Sequence, residues 1–159
     1  MKGLAKNNTL IASLSRRLGR IHRNNIAGIK DSLSNRRTIT KVRARLDEWV
    51  SNGMHLECYD SMDEILDELG LTNEELSFYC ARVLKKKFLT WRKELRINEA
   101  KKLLLEHPDA PASHIGFAVG LFDKSNFRQQ FKALVGCTPT EWREMHLKNH
   151  PESHPVPED

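Results

Sequence analysis

Between residues 112 and 135 the apolar positions fall into two short helical periods separated by one glycine. Ile115, Phe117, Val119 and Leu121 lead into Gly120-Leu121-Phe122-Asp123, and Phe127, Phe131, Leu134 and Val135 follow at spacings of four, three and one. The pattern predicts helix, tight turn, helix. Gly120 suits a left-handed end to the first helix, and Asp123 suits a cap on the second, accepting bonds from its free backbone donors. The same arrangement is written earlier in the chain. Ile65, Leu66 and Leu69 precede Gly70-Leu71, and Leu76, Tyr79, Cys80 and Val83 carry the next stripe. Ser61-Met62-Asp63-Glu64 and Thr72-Asn73-Glu74-Glu75 read as capping boxes. Aligning Leu69-Gly70-Leu71 with Val119-Gly120-Leu121 sets Leu76 near Phe127 and Cys80 near Phe131, so one unit occurs twice, about 50 residues apart.

Around these units the pattern predicts further helices. Phe88 to His107 reads as one long helix, with Phe88, Trp91, Leu95, Ala100, Leu103 and Leu104 inward and Arg92, Lys93, Arg96, Lys101 and Lys102 outward; Pro108 ends it. Thr40 to Asn52 reads as a helix with Val42, Leu46, Trp49 and Val50 on one side. Thr138-Pro139-Thr140-Glu141 opens a last helix docked by Trp142 and Met145. Residues 1 to 38 read as a basic, partly helical arm, in which Ile11, Leu14, Leu18 and Ile21 form a stripe too short to make a core. Three uses stay open for it: packing on a domain or partner, a solvated tail, or contact with a membrane surface or DNA backbone. The expected organisation is all-α, with the arm at 1–38, a helical domain at 39–147 and a disordered tail at 148–159. Within the domain the first unit covers 61–84, the long helix 88–107 and the second unit 112–135.

Charge sharpens this division. Residues 1 to 45 carry twelve Lys or Arg and one Asp, a net +11, whereas 46 to 159 carry fourteen basic and twenty acidic residues, a net −6. Residues 46 to 75 hold ten acids and no base, and 76 to 102 hold nine bases against two acids. Such zoning suits a molecule with one face toward phosphate and another turned away. No apolar run approaches the roughly 20 residues that cross a bilayer, and no signal-peptide core is present, so a cytoplasmic location is expected. Cys58, Cys80 and Cys137 are odd in number and far apart, which favours reduced packing thiols. His55, Cys58 and Asp60 fall short of the four close ligands of a structural zinc. His146, His150 and His154 sit four apart, but Pro151 breaks the helical face they would share. No metal or cofactor is expected.

A helix, tight turn and second helix is the helix-turn-helix arrangement, whose second helix enters the DNA major groove. The stretch Ile115-Gly116, Val119-Gly120-Leu121, Phe127, Phe131-Lys132 and Gly136-Cys137-Thr138-Pro139 resembles the second such motif of the AraC/XylS family of bacterial transcription regulators. Gly116 stands where that family usually has Ala, and Leu121 where it usually has Phe. The first unit departs further, with Cys80 for the usual Phe and Lys85 where a Gly commonly ends the helix. The run Arg96 to Leu104 resembles the family's linker helix. The resemblance implies two homeodomain-like helix-turn-helix subdomains on that linker, meeting successive major grooves about 34 Å apart. It further implies double-stranded DNA as partner, RNA polymerase if the protein activates, and an upstream sensor, membrane portion or dimer partner engaged through the arm.

The candidate DNA contacts on the second unit are Lys124, Ser125, Asn126, Arg128, Gln129 and Lys132. Asn and Gln make bidentate bonds to adenine, Lys and Arg to guanine, and Ser to a base edge or phosphate. The resemblance puts base reading at Lys124, Ser125, Asn126 and Gln129; Arg128 and Lys132, which lie farther round the helix and toward its distal end, read as phosphate partners. On the first unit the candidates are Asn73, Ser77 and Arg82, beside Glu74 and Glu75, whose charge repels phosphate; Arg96 joins them from the linker. Two other readings are a protein-interaction module that keeps the fold without reading DNA, and a methyl-accepting repair enzyme. Against the enzyme, no cysteine has a neighbouring His or paired Cys in sequence to make a thiolate.

Overall fold

The computed structural model describes residues 31–59 and 61–149, so the arm up to residue 30, Asp60, His150, His154 and the tail from residue 150 lie outside the described residues. The chain divides into two units, Met1–Arg43 and Ala44–Asp159. Of the first, residues 31–43 are helical, and the helix runs unbroken to residue 51 as α1. Thr38 and Thr40 do not interrupt it, because their hydroxyls donate back to the carbonyls of Ser34 and Arg36 one turn earlier. Val42, Leu46 and Trp49 are buried as their spacing predicts.

In the second unit a 3-10 turn, Met54–Leu56, follows α1; then come α2 (Met62–Leu69), α3 (Asn73–Tyr79), α4 (Phe88–Glu106), α5 (Ala112–Ala118), α6 (Lys124–Val135) and α7 (Pro139–Asn149). Every regular element among the described residues is helical. The start signals work as predicted. Ser61 accepts from the Glu64 amide, Thr72 and Glu75 form a reciprocal box, and Asp123 accepts from the Asn126 amide. Thr138 and Glu141 cap α7 in the same reciprocal way, at 2.8 and 3.3 Å.

The repeat extends to individual backbone bonds. Leu71 N–H donates to Leu66 O and Gly70 N–H to Asp67 O, while Leu121 N–H donates to Gly116 O and Gly120 N–H to Phe117 O. Both turns are therefore the same helix-ending motif at the same offset. The units differ after the second helix. In the first, α3 widens into a π-helical turn, Cys80–Leu84, and closes on Lys85 at φ 56°; in the second, α6 closes on Gly136 at φ 92°.

One buried cluster joins α4, α5, α6 and α7: Ile97, Ala100 and Leu104 from α4 meet Ile115, Val119, Leu121, Phe127, Phe131 and Trp142. Phe131 lies edge-on between Phe127 and Trp142, at ring separations of 5.8 and 6.2 Å. The buried stripe of α4 differs from the predicted one. Arg92 and Ile97 are buried, whereas Trp91 and Leu95 are half-buried. The cause is that α4 serves two neighbourhoods. Its first half faces Trp49 through Phe88 and Arg92, and its second half faces the cluster just described. Leu134 and Met145, expected inward, are exposed, because Val135 and Trp142 take the inner positions on their helices.

Candidate nucleic-acid interface

Two positions of the α5–α6 unit have no room for a side chain, one against α6 and one against the connector before α2. A Cβ on Gly116 would lie 2.7 Å from Cδ1 of Phe127, so the ring packs directly on the α5 backbone. The sequence departure at this position is therefore a packing solution. Gly120 sits at φ 73°, and a Cβ there would lie 2.1 Å from the Leu56 carbonyl oxygen.

With Phe127 and Phe131 buried, α6 turns Lys124, Ser125, Asn126, Arg128, Gln129 and Lys132 to solvent; all six are exposed. They divide by flank. Lys124 and Arg128 border a depression shared with the start of α7, while Asn126 and Gln130 border a groove shared with Lys93 of α4. Ser125 and Gln129, one turn apart, lie between the flanks. The Gln130 amide donates to the Asn126 side-chain oxygen at 2.6 Å. Gln130 was not among the sequence candidates; its i+4 spacing from Asn126 is the signal that points to it.

On the first unit Asn73, Ser77 and Arg82 are exposed as well, with the Arg82 guanidinium 5.8 Å from the centre of the Phe78 ring. The two acids beside them have a local role. Glu75 accepts from the Thr72 amide at 3.0 Å, and bonds to its own backbone amide and to the Thr72 hydroxyl hold the Glu74 carboxyl below the usual carboxylate range. Both carboxylates cap α3, where the helix end is partially positive. The outer face of α3 is thus acid-flanked, and that of α6 is basic.

Arg96 is half-buried, and its guanidinium is engaged by backbone carbonyls. Its Nε donates to His55 O at 2.9 Å, one terminal nitrogen donates to Gly120 O at 3.0 Å, and the other donates to Leu56 O and Glu57 O at 3.2 and 2.6 Å. The adjacent Arg92 donates from Nε to His55 O at 3.1 Å and from a terminal nitrogen to Glu57 O, and its charge lies over the rings of Trp49 and Tyr59 at 5.5 and 5.0 Å. Burial, and then the neighbouring Arg96, push the Arg92 pKa down to about 10, which leaves it charged at neutral pH. Together the two arginines tie the 54–58 connector to α4 and to the turn of the second unit. Arg143 does similar work, donating to Pro108 O and Ala110 O at 2.8 and 2.7 Å and fixing the loop between α4 and α5. Sequence reading put Arg92 and Arg96 on an outer face, because a helical period cannot reveal a backbone loop that needs donors.

Of the metal candidates, His55 is buried and its carbonyl accepts from both arginines. His146 stacks on Trp142 at 4.0 Å. Among the described residues no group of three or more His, Cys, Asp or Glu is gathered to hold a metal ion, and no helix is long and apolar enough to cross a membrane.

Comparison with known proteins agrees with this geometry. A family model described as a helix-turn-helix domain matches residues 65–145. The arabinose operon regulatory proteins of Salmonella typhimurium and Escherichia coli are each 36% identical over 79 residues, covering 50% of this chain and 28% and 27% of theirs. An uncharacterized HTH-type transcriptional regulator of Bacillus subtilis, YdeC, is 27% identical over 96 residues, covering 59% of this chain and 33% of its own. The match thus spans about a third or less of each relative's length. No solved structure matches. With the helix-turn-helix model covering 65–145 and the turn repeated at Gly70 and Gly120, the chain belongs to the AraC family of DNA-binding transcription regulators.

Proposed function

We propose that this protein reads double-stranded DNA sequence-specifically, with α6 as the principal reading helix and α3 as a weaker second contact in the next major groove. The observation that carries the reading is the outer face of α6, where Ser125 and Gln129 lie between basic Lys124, Arg128 and Lys132 on a helix anchored by the buried Phe127 and Phe131. Base edges fall to Ser125, Asn126 and Gln129, and phosphates to Arg128 and Lys132, with Lys124 reaching either. Asn73, Ser77 and Arg82 supply the contacts of α3. Arg96 is assigned to bracing, since its donors are already taken by carbonyls. The DNA-binding part is assigned to 39–147. A cytoplasmic location, an upstream sensor or second copy engaged through residues 1–38, and RNA polymerase as a partner in activation belong to the same proposal. The test is selection of genomic fragments on the full chain, followed by sequencing. Enrichment of a common site that resists random competitor and weakens with salt is expected; recovery of fragments without a shared sequence overturns the specific reading.

One observation favours a second activity, protein contact. Phe117 and Phe122 are 63% and 54% exposed and meet edge-on at 4.6 Å on the outside of the α5–α6 turn. A chain that retains no DNA at low salt would make protein contact the main function.

A further inference from the structure

The helices α2, α3, α6 and α7 each open on a side-chain cap, and the residue three places after the cap is of one type with a single exception. Counting from Ser61, Thr72, Asp123 and Thr138, that place holds Glu64, Glu75, Asn126 and Glu141. A glutamate there reaches back to the amide of the capping residue, as Glu75 and Glu141 do at 3.0 and 2.8 Å. Asn126 does otherwise. Its side-chain oxygen accepts from the Gln130 amide, one turn forward, at 2.6 Å. In the first unit the matching residues are Glu75, which caps, and Tyr79, which is buried, so the amide pair belongs to α6. A helix that forgoes its own cap contact departs from a local rule, and such departures gather at functional positions.

Two exposed side chains one turn apart bond weakly, because ordering both offsets most of what the bond contributes. Gln130 is half-buried in the groove between α6 and α4, beside Leu89 and Lys93, and packing has already taken much of its freedom. The bond therefore orders one side chain, the exposed Asn126. We propose that Gln130 is a positioning residue that fixes the Asn126 amide with its NH2 group toward the DNA, so that Asn126 selects a base with acceptors on its major-groove edge, guanine foremost. A free asparagine presents oxygen and NH2 side by side and suits adenine, which offers a donor beside an acceptor. With its oxygen drawn along the helix to Gln130, the amide turns N–H donors outward. Guanine meets them with O6 and N7, whereas the N6 amino group of adenine opposes them. The inference rests on the DNA reading by α6 proposed above, and its test separates the two.

The full chain and its variants select duplexes from a randomised library at one salt concentration, and the enriched sequences are compared position by position. Asn126→Ala should relax one position of the parent's site, and the parent's base there should be guanine. Gln130→Met keeps the length of the side chain and loses the donor, so the preference for guanine over adenine at that position should fall about fivefold or more. Gln130→Glu is the deciding variant. A carboxylate only accepts, so the Asn126 NH2 turns to it and leaves the oxygen facing the base. That position should then favour adenine or cytosine, whose edges donate, with the ranking at every other position unchanged; lost stability would weaken all positions together. The exchange is made with Lys93→Met alongside, which removes the ammonium in the same groove to which a new carboxylate would turn. Without DNA, Asn126→Ala should shift the side-chain amide resonances of Gln130, and Ser125→Ala should leave them in place. Gln130 resonances unmoved by Asn126→Ala overturn the positioning role, even where selection yields a clear site. Adenine as the parent's base at the Asn126 position, no position relaxed by Asn126→Ala, or guanine retained in Gln130→Glu with Lys93→Met each overturns the proposed polarity. A parent that enriches no common site overturns the DNA reading and this inference with it.

Discussion

A single guanidinium, that of Arg96, reaches four backbone carbonyls, of His55, Leu56, Glu57 and Gly120. Removing it leaves the Leu56 and Gly120 oxygens without a charged donor, while Arg92 still serves those of His55 and Glu57, so Arg96→Ala should lower stability by about 3 kcal/mol, measured by urea unfolding. Arg96→Lys should recover little of this, since an ammonium lacks the planar fork that reaches several oxygens at once. Gly120→Ala should be at least as damaging, because a left-handed backbone and a carbonyl 2.1 Å from the new carbon act together. The same knot contains a titration. Burial lowers the His55 pKa, the charges of Arg96 and Arg92 lower it further, and Glu99 opposes them in part. A histidine whose folded pKa lies below its unfolded value leaves the unfolded chain binding more protons. Stability should therefore fall as pH drops through the unfolded value of about 6.5 and level off only below the folded pKa. His55→Asn should flatten the loss across that window, and an unchanged profile from pH 7 to 5 would remove His55 from the account.

At the scale of the helix, α6 is the element whose two faces have separate duties on the proposed reading. Phe131→Ala should cost roughly 3 to 5 kcal/mol as a large-to-small change inside the aromatic cluster, with a thermal melt as readout. Gln129→Ala should leave the melt unmoved and cost about 1 to 3 kcal/mol on the preferred DNA site, relaxing the choice of base at one position. Glu74→Gln on α3 should tighten binding to many sequences without reordering them, since it removes charge near phosphate. A reordering of site variants by Glu74→Gln, with Gln129→Ala neutral, would exchange the proposed roles of the two helices. Element starts and stops were legible because caps are local: Ser61, Thr72, Asp123 and Thr138 all cap where their spacing to the next helical stripe predicts. The buried stripe of α4 was not legible in the same way. A period assumes one partner along a helix, and α4 changes partners between Phe88 and Ile97. The candidate site shows the same boundary, for the outer face of α6 follows from its period while the carbonyls that engage Arg96 lie 24 to 41 residues away in sequence.

Across the whole of Ala44–Asp159, the duplicated turn explains how one architecture supports unequal halves. The backbone bonds at Gly70 and Gly120 are equivalent, yet smaller side chains open the first unit and larger ones fill the second. The brace from Arg96 to the 54–58 connector and the Gly120 carbonyl gives this pairing a mechanical meaning. If both units read DNA as proposed, the two readers share one stiff frame, so the protein works as a fixed-gauge caliper and the DNA must supply the adjustment. Each base pair inserted between the two contacted segments turns the far one by about 34 to 36° around the duplex axis. On the proposed reading, one extra pair should weaken binding according to how easily the intervening steps twist and bend, and five should place the second groove on the far side and leave the affinity of a single unit. Tolerance to such insertions would then measure the stiffness of the frame itself, and loosening it by Arg96→Ala should broaden the set of accepted spacings even as it lowers the melting point.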